Sequence, residues 1–181
     1  MLPTGHFAAG YLTTRLTIAG LIATFPQASD PRFWAIGLIA SVIPDLDEFV
    51  VFYKVGRLTG DNKVPHRKFI SHSPLLHLAI GAIAFLIANI LGSQDWQLYS
   101  VLYVVGIWTH FVFDSFGYGI MWLWPFTPRL FSLRAREQDF QIKETKFFAY
   151  WLEFLKIYSK DLVFWLELIV IAVALVVFLN F

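Results

Sequence analysis

The sequence predicts an all-α membrane protein, a bundle of about five transmembrane helices, because its apolar residues are abundant and fall in segments of spanning length. Apolar residues make up 57% of the 181 residues and charged residues 15%. A soluble domain usually carries about 25% charged residues. Several apolar segments approach the roughly 20 residues that a helix needs to cross the hydrocarbon layer. We therefore expect residues 1–181 to form one membrane-embedded domain.

Five segments carry this pattern, and the second of them is interrupted. The third and the fifth are the most apolar, with His77 and Glu167 as their only ionisable residues. The second contains Pro44, which lacks a backbone N–H and restricts the residue before it, so we expect a broken helix there. The expected spans are 5–25, 33–53, 74–92, 97–119 and 162–181.

Two longer polar stretches, 54–73 and 127–161, hold nearly all the basic residues. Of the 14 Lys and Arg residues, only Arg15 and Arg32 lie elsewhere. The positive-inside rule then predicts a multi-pass inner-membrane (plasma-membrane) protein whose N-terminus and long loops are cytoplasmic. In 127–161, apolar residues recur at helical spacing, which predicts an amphipathic helix in the headgroup layer or packed on the end of the bundle. These residues are Phe147, Trp151, Phe154, Leu155 and Tyr158.

The charge and the absence of cysteine exclude several classes of partner and site. A formal net charge of +1 gives no reason to expect nucleic acid as a partner. With no cysteine in the chain, disulfides, a thiol nucleophile and a Cys-based zinc site are excluded. A bound metal must therefore use histidine and carboxylate ligands. The oligomeric state is left open by these features.

The predicted topology brings the ionisable residues of the spans to one level of the membrane. All five histidines and three carboxylates fall at the cytoplasmic ends of the helices. Charged groups inside a membrane are costly and usually functional. Because hydropathy and basic residues alone gave the topology, this agreement is independent evidence for a site. The residues are His6, Asp45, Asp47, His66, His72, His77, His110 and Asp114.

Their spacing is typical of a metal site. His110 and Asp114 lie four residues apart, on one face of a helix, and the run Asp45-Leu46-Asp47 beside the break can direct two carboxylates to one point. Histidine and aspartate together suit zinc, and also manganese or iron, and such an ion lowers the pKa of bound water. We predict one or two divalent ions, with zinc favoured. The predicted ligands are His6, Asp45, Asp47, His66, His110 and Asp114.

Each of these residues also has a purely structural interpretation. A single intramembrane histidine more often forms a hydrogen bond between helices, and Asp45, Asp47 and Glu48 could cap the helix that follows Pro44. Convergence of all of them at one level favours the metal site.

A phosphate-binding corner is predicted beside these ligands. Ser73 and Pro74 are typical of a helix start, and the free backbone N–H groups there, with Arg67 and Lys68, suit an anion. We therefore predict Arg67 as a catalytic residue that contacts phosphate. His72 and His77 are the further catalytic candidates, as ligand, general acid or support for the ligands.

These motifs resemble the YdjM-like family of predicted membrane-bound metal-dependent hydrolases. The resemblance rests on four blocks within about residues 3–126: Gly5-His6, Ile43-Pro44-Asp45-Leu46-Asp47, His66-Arg67 with Ser71-His72-Ser73, and His110-Phe111-Val112-Phe113-Asp114. It implies an inner-membrane protein with hydrolase activity, but says little about the substrate.

The chain is more distantly similar to the zinc-dependent phospholipase C and single-strand nuclease superfamily, helical enzymes with a three-zinc cluster. That similarity implies that Asp114 bridges metals and that water attacks a phosphorus ester. The ligands it implies are His6, Asp45, His66, His110 and Asp114. The sequence departs from the superfamily because no histidine follows His110 and the processed N-terminal tryptophan is missing. One or two ions are therefore expected rather than three.

The expected function is hydrolysis of phosphoester bonds in a lipid-linked or amphiphilic substrate, with membrane lipids as partners. An ion- or proton-coupled transporter is the first alternative, since broken helices with polar residues also hold transported ions. Glu167 is its only candidate for a relay in the outer half of the membrane. A non-enzymatic membrane adaptor acting through 127–161 is the second alternative.

Overall fold

The architecture is all-helical in the computed structural model, which describes residues 2–55, 66–117, 119–133, 142 and 147–180. These residues form seven α-helices and four short 3-10 turns. They contain no β-strand, only a single bridge between Ile120 and Phe131. The predicted all-α fold class is confirmed for this part of the chain.

The helices overlap the predicted apolar segments, except for Phe147–Tyr158, which lies in the polar stretch 127–161. Asp30 accepts a hydrogen bond from the backbone of Arg32 and starts the second helix, with Pro31 at its first position. Pro74 begins the fourth helix as expected, although the Ser73 hydroxyl makes no capping hydrogen bond. The helices are α1 (Pro3–Leu21), α2 (Pro31–Ala40), α3 (Asp47–Val55), α4 (Pro74–Ile90), α5 (Gln94–Ser115), α6 (Phe147–Tyr158) and α7 (Leu162–Asn180).

The expected break at Pro44 is present. The 3-10 turn Ile43–Leu46 separates α2 from α3, and Pro44 stands near its start, where its missing N–H is not needed. This turn lets Asp45 reach the interior, where it is 7% exposed. The backbone interruption is therefore what delivers a carboxylate to the core.

Within the described part of the chain, two helices, α5 and α7, are long and apolar enough to cross a membrane. The apolar α4 is shorter, with 17 residues. The halves α2 and α3 have 10 and 9 residues, too few to span alone. The five spans therefore stay a prediction. The predicted helix in 127–161 is present as α6, and Phe148 and Leu152 are exposed on it.

Helix α5 lies at the centre of the bundle, with α1, α2 and α4 packed against it and α7 packed on α1. Gly106 permits a close crossing, because a Cβ there would lie 2.3 Å from the carbonyl oxygen of Gly37 on α2. Small residues allow helix backbones to approach in this way. The crossing brings the last two turns of α5 beside the break after α2 and the first turns of α1.

Candidate metal centre

Four of the predicted ligands meet in one buried cluster. His6 comes from α1, Asp45 from the turn Ile43–Leu46, and His110 and Asp114 from α5. One ligand atom from each lies within 4.8 Å of the others. None of the four residues is more than 7% exposed. We call His6, Asp45, His110 and Asp114 the four-residue cluster.

Within the cluster, the two histidines direct Nε2 at the two carboxylates. His6 Nε2 lies 3.2 Å from Asp114 Oδ1 and 3.9 Å from Asp45 Oδ2. His110 Nε2 lies 3.6 Å from Asp45 Oδ1 and 3.7 Å from Asp114 Oδ2. The two imidazole rings are stacked, with centroids 3.9 Å apart. Two nitrogens and two oxygens thus surround one small volume.

This arrangement fits a divalent cation. The Nε2 atom of His110 is buried and makes no hydrogen bond with the described residues. Leaving a buried polar atom without such a bond costs about 1–3 kcal/mol, which coordination of a metal would offset. Two imidazole nitrogens and two carboxylate oxygens suit zinc, manganese or iron.

A hydrogen bond on the side of the ring away from the cluster fixes the orientation of His110. Its Nδ1 lies 3.0 Å from the carbonyl oxygen of Ser41, the residue that ends α2. A carbonyl can only accept a hydrogen bond, so Nδ1 carries the proton and Nε2 presents its lone pair to the cluster. Metal-binding histidines are commonly held in this way by a second hydrogen bond.

The two carboxylates of the cluster, Asp45 and Asp114, differ in their charged partners. Arg67, in the 3-10 turn His66–Lys68, donates from Nε to Asp114 Oδ2 at 2.8 Å. Asp45 lies in the turn between α2 and α3 and is 7% exposed. A cation between the two carboxylates would favour the ionised form of both.

A second pair, Asp47 and His72, borders the cluster. His72 Nδ1 lies 2.9 Å from Asp47 Oδ2, and the Ser71 hydroxyl donates to the same oxygen at 2.6 Å. On the other side of its ring, His72 Nε2 lies 4.0 Å from Asp45 Oδ1. Asp47 therefore contacts the cluster through His72 and is not among its four members.

The two other predicted histidines lie differently. His77 Nε2 donates to the Ser71 carbonyl at 3.0 Å, and Nδ1 accepts from the Tyr103 hydroxyl at 2.6 Å. Both ring nitrogens of His77 are thus engaged outside the four-residue cluster. The backbone of His66 begins a 3-10 turn, but its side chain lies outside the described residues.

Sequence reasoning placed Glu167 wrongly, in the outer half of the membrane. Its carboxylate instead accepts hydrogen bonds from the backbone of Leu2 and Gly5, at the end of the bundle that carries His6. The signal was available in the sequence. Glu167 is only five residues from the start of α7, about 8 Å along the helix from the predicted cytoplasmic loop.

Comparison with known proteins gives a family and no closer relative. The model of the family described as YdjM inner membrane protein matches residues 1–180. No curated protein and no solved structure matches the chain. The match covers nearly the whole sequence and confirms the resemblance drawn from the motifs. The similarity to the zinc-dependent phospholipase C and single-strand nuclease superfamily stays a prediction.

Proposed function

We propose, from the premise that this chain belongs to the YdjM inner membrane protein family, that it is a membrane-bound metal-dependent hydrolase of phosphoester bonds. The four-residue cluster is the observation that carries the proposal, because it brings four buried candidate metal ligands within 4.8 Å of one another. Residence in a membrane supports a lipid-linked or amphiphilic substrate, since a soluble ester would gain nothing from it.

In this proposal, some residues bind the metal and others orient its ligands. A divalent cation, zinc first, supplies charge stabilisation for the phosphoryl group and a water of lowered pKa when it is bound. His6 and His110 provide the neutral nitrogen donors, and Asp45 and Asp114 provide the anionic oxygens. The Ser41 carbonyl keeps His110 in the tautomer that can act as a ligand.

In this proposal, Arg67 and His72 act on the substrate beside the cluster. The Arg67 side chain is 12% exposed and bonded to Asp114, so it lies at the boundary between the ligands and the outside. A planar guanidinium with several donors is well suited to phosphate oxygens. His72, held at Nδ1 by Asp47, can accept or deliver a proton at Nε2.

Metal content tests the cluster directly. We expect protein purified in detergent to contain stoichiometric metal, and Asp114→Asn and His110→Ala variants to lose it. Asp95→Asn is the matched control, because Asp95 lies on the same helix and forms an exposed pair with Arg32 at 2.8 Å. Equal metal content in all four proteins would contradict the proposal.

Hydrolysis assays then test the reaction. Phosphatidyl and prenyl-phosphate esters in mixed micelles, and a soluble phosphate monoester, should be offered to the metal-loaded protein. We expect turnover of an amphiphilic ester by the wild type and by Asp95→Asn, but not by Asp114→Asn. Glu167, which the transporter alternative used as its outer relay, lies at the His6 end of the bundle, and this position favours the hydrolase proposal.

A further inference from the structure

Glu167 of α7 holds the first turn of α1, the turn that leads into His6. Its side chain is buried, with 2% exposed. Oε1 accepts from the Gly5 N–H and the Thr4 hydroxyl, each at 3.1 Å. Oε2 accepts from the Leu2 N–H at 3.2 Å and the Tyr158 hydroxyl at 2.6 Å. One carboxylate thus binds four donors from two other helices.

Helix α1 has no side-chain acceptor of its own at this end. The N–H groups of a first helical turn have no partner within the helix. The capping residue of α1 is Leu2, which makes no side-chain capping bond, and the first turn contains no acidic residue. Glu167, on α7, provides the missing side-chain acceptor. Its negative charge also interacts favourably with the positive end of the α1 helix dipole.

Glu167 affects the metal centre because its hydrogen-bond partner Gly5 is adjacent to the candidate ligand His6. His6 directly follows Gly5, whose N–H is bonded to Glu167. Metal ligands must sit within about 0.2 Å of their ideal distances, so fraying or rotation of this turn would displace the His6 imidazole. The same turn also contains the hydrogen bonds from the Gly5 and His6 N–H groups to the Leu2 carbonyl, at 3.0 and 3.2 Å, and Glu167 adds its bonds to Leu2 and Gly5 from outside the helix.

We propose that Glu167 is a positioning residue of the metal centre, which keeps His6 in ligating position through the backbone of α1. The inference rests on the proposed function, since it assigns a role within the same site. Tyr158, in the last turn of α6 and 4% exposed, supports Glu167 with the shortest of its four hydrogen bonds. Docking of α6 thereby contributes to the same arrangement.

Cobalt(II) is the probe for the test, because its visible absorption reports the ligands and its titration gives an affinity. Full-length wild type, Glu167→Gln and Tyr158→Phe are titrated in detergent, with Asp95→Asn as control. Substitution of residues that support metal ligands typically weakens binding about 10–100-fold. We expect a loss of this size and an altered spectrum in Glu167→Gln, a smaller loss in Tyr158→Phe, and no change in Asp95→Asn.

Hydrogen exchange of the peptide spanning residues 2–9 is measured on the same proteins without metal. We expect faster exchange in Glu167→Gln, because the Gly5 N–H loses its charged acceptor and keeps only its bond to the Leu2 carbonyl. Wild-type cobalt affinity and spectrum in a folded Glu167→Gln protein would overturn the inference. If Glu167→Gln does not fold, Tyr158→Phe decides in its place, and wild-type affinity there would overturn it.

The two proposals fail in different ways. Absence of cobalt binding by the wild type would remove the proposed function, whereas the exchange measurement would still report on Glu167. Unchanged exchange at residues 2–9 in Glu167→Gln would overturn the inference even if the wild-type protein binds metal and hydrolyses phosphoesters.

Discussion

Replacement of Gly106 by alanine should loosen the crossing of α5 and α2 and weaken the metal centre. The added Cβ would lie 2.3 Å from the Gly37 carbonyl oxygen and 3.0 Å from the Ala40 Cβ. Carbon and carbonyl oxygen normally approach to about 3.3 Å, so the two helices must separate by about 1 Å. The obstructing atom belongs to the backbone, which cannot turn away as a side chain can.

The net effect is a difference between two opposing terms. Alanine favours a helix over glycine by about 1 kcal/mol, whereas overpacking costs about 1–3 kcal/mol. Because the obstructing backbone atom is rigid, the overpacking cost should lie near the upper end of this range. The free energy of unfolding should therefore fall by about 1–2 kcal/mol. For a chain of this size, each kcal/mol corresponds to about 2–4 °C in Tm, so we expect a fall of about 2–8 °C.

The same displacement should reach the ligands. His110 lies one turn beyond Gly106 on α5, and its Nδ1 is bonded to the Ser41 carbonyl at the end of α2. A separation of about 1 Å would break this bond and release the His110 ring, so metal affinity should fall about 10–100-fold, as for other groups that orient ligands.

Thermal unfolding followed by circular dichroism in detergent, together with metal titration, measures both effects. Gly20→Ala is the control, because a Cβ at Gly20 on α1 has no atom within 4 Å, and it should leave Tm unchanged or raise it. A Gly106→Ala protein that melts at or above the wild-type temperature and keeps its metal would refute the reasoning.

The remaining predictions concern the residues around the cluster. Asp47→Asn should keep the metal content of the wild type but lower phosphoester turnover by about 100-fold, because Asp47 orients the proton-transfer residue His72, which is not in the four-residue cluster; loss of metal would instead make Asp47 a ligand. Tyr103→Phe should lower stability by about 0.5–1.5 kcal/mol, seen as a lower Tm, because His77 Nδ1 loses its hydrogen bond. Its metal content should equal that of the wild type, and a deficit would place His77 within the metal centre.

The sequence alone determined the helices, the break and the end of the bundle where the site lies. Apolar runs predict helices because hydrocarbon admits only structures that satisfy their own backbone groups. The break follows from the covalent structure of Pro44. His110 and Asp114 share a helix face because of helical periodicity. These features are local properties of the chain, so no tertiary contact was needed to anticipate them.

Only the tertiary structure decided which of the candidates form the cluster. Asp45 and Asp47 are two residues apart, yet one joins the cluster and the other contacts His72, because the 3-10 turn separates their directions. The tautomer of His110 depends on Ser41, 69 residues away, and the first turn of α1 depends on Glu167, 162 residues from Gly5. Such contacts are set by helix packing, which sequence spacing does not encode.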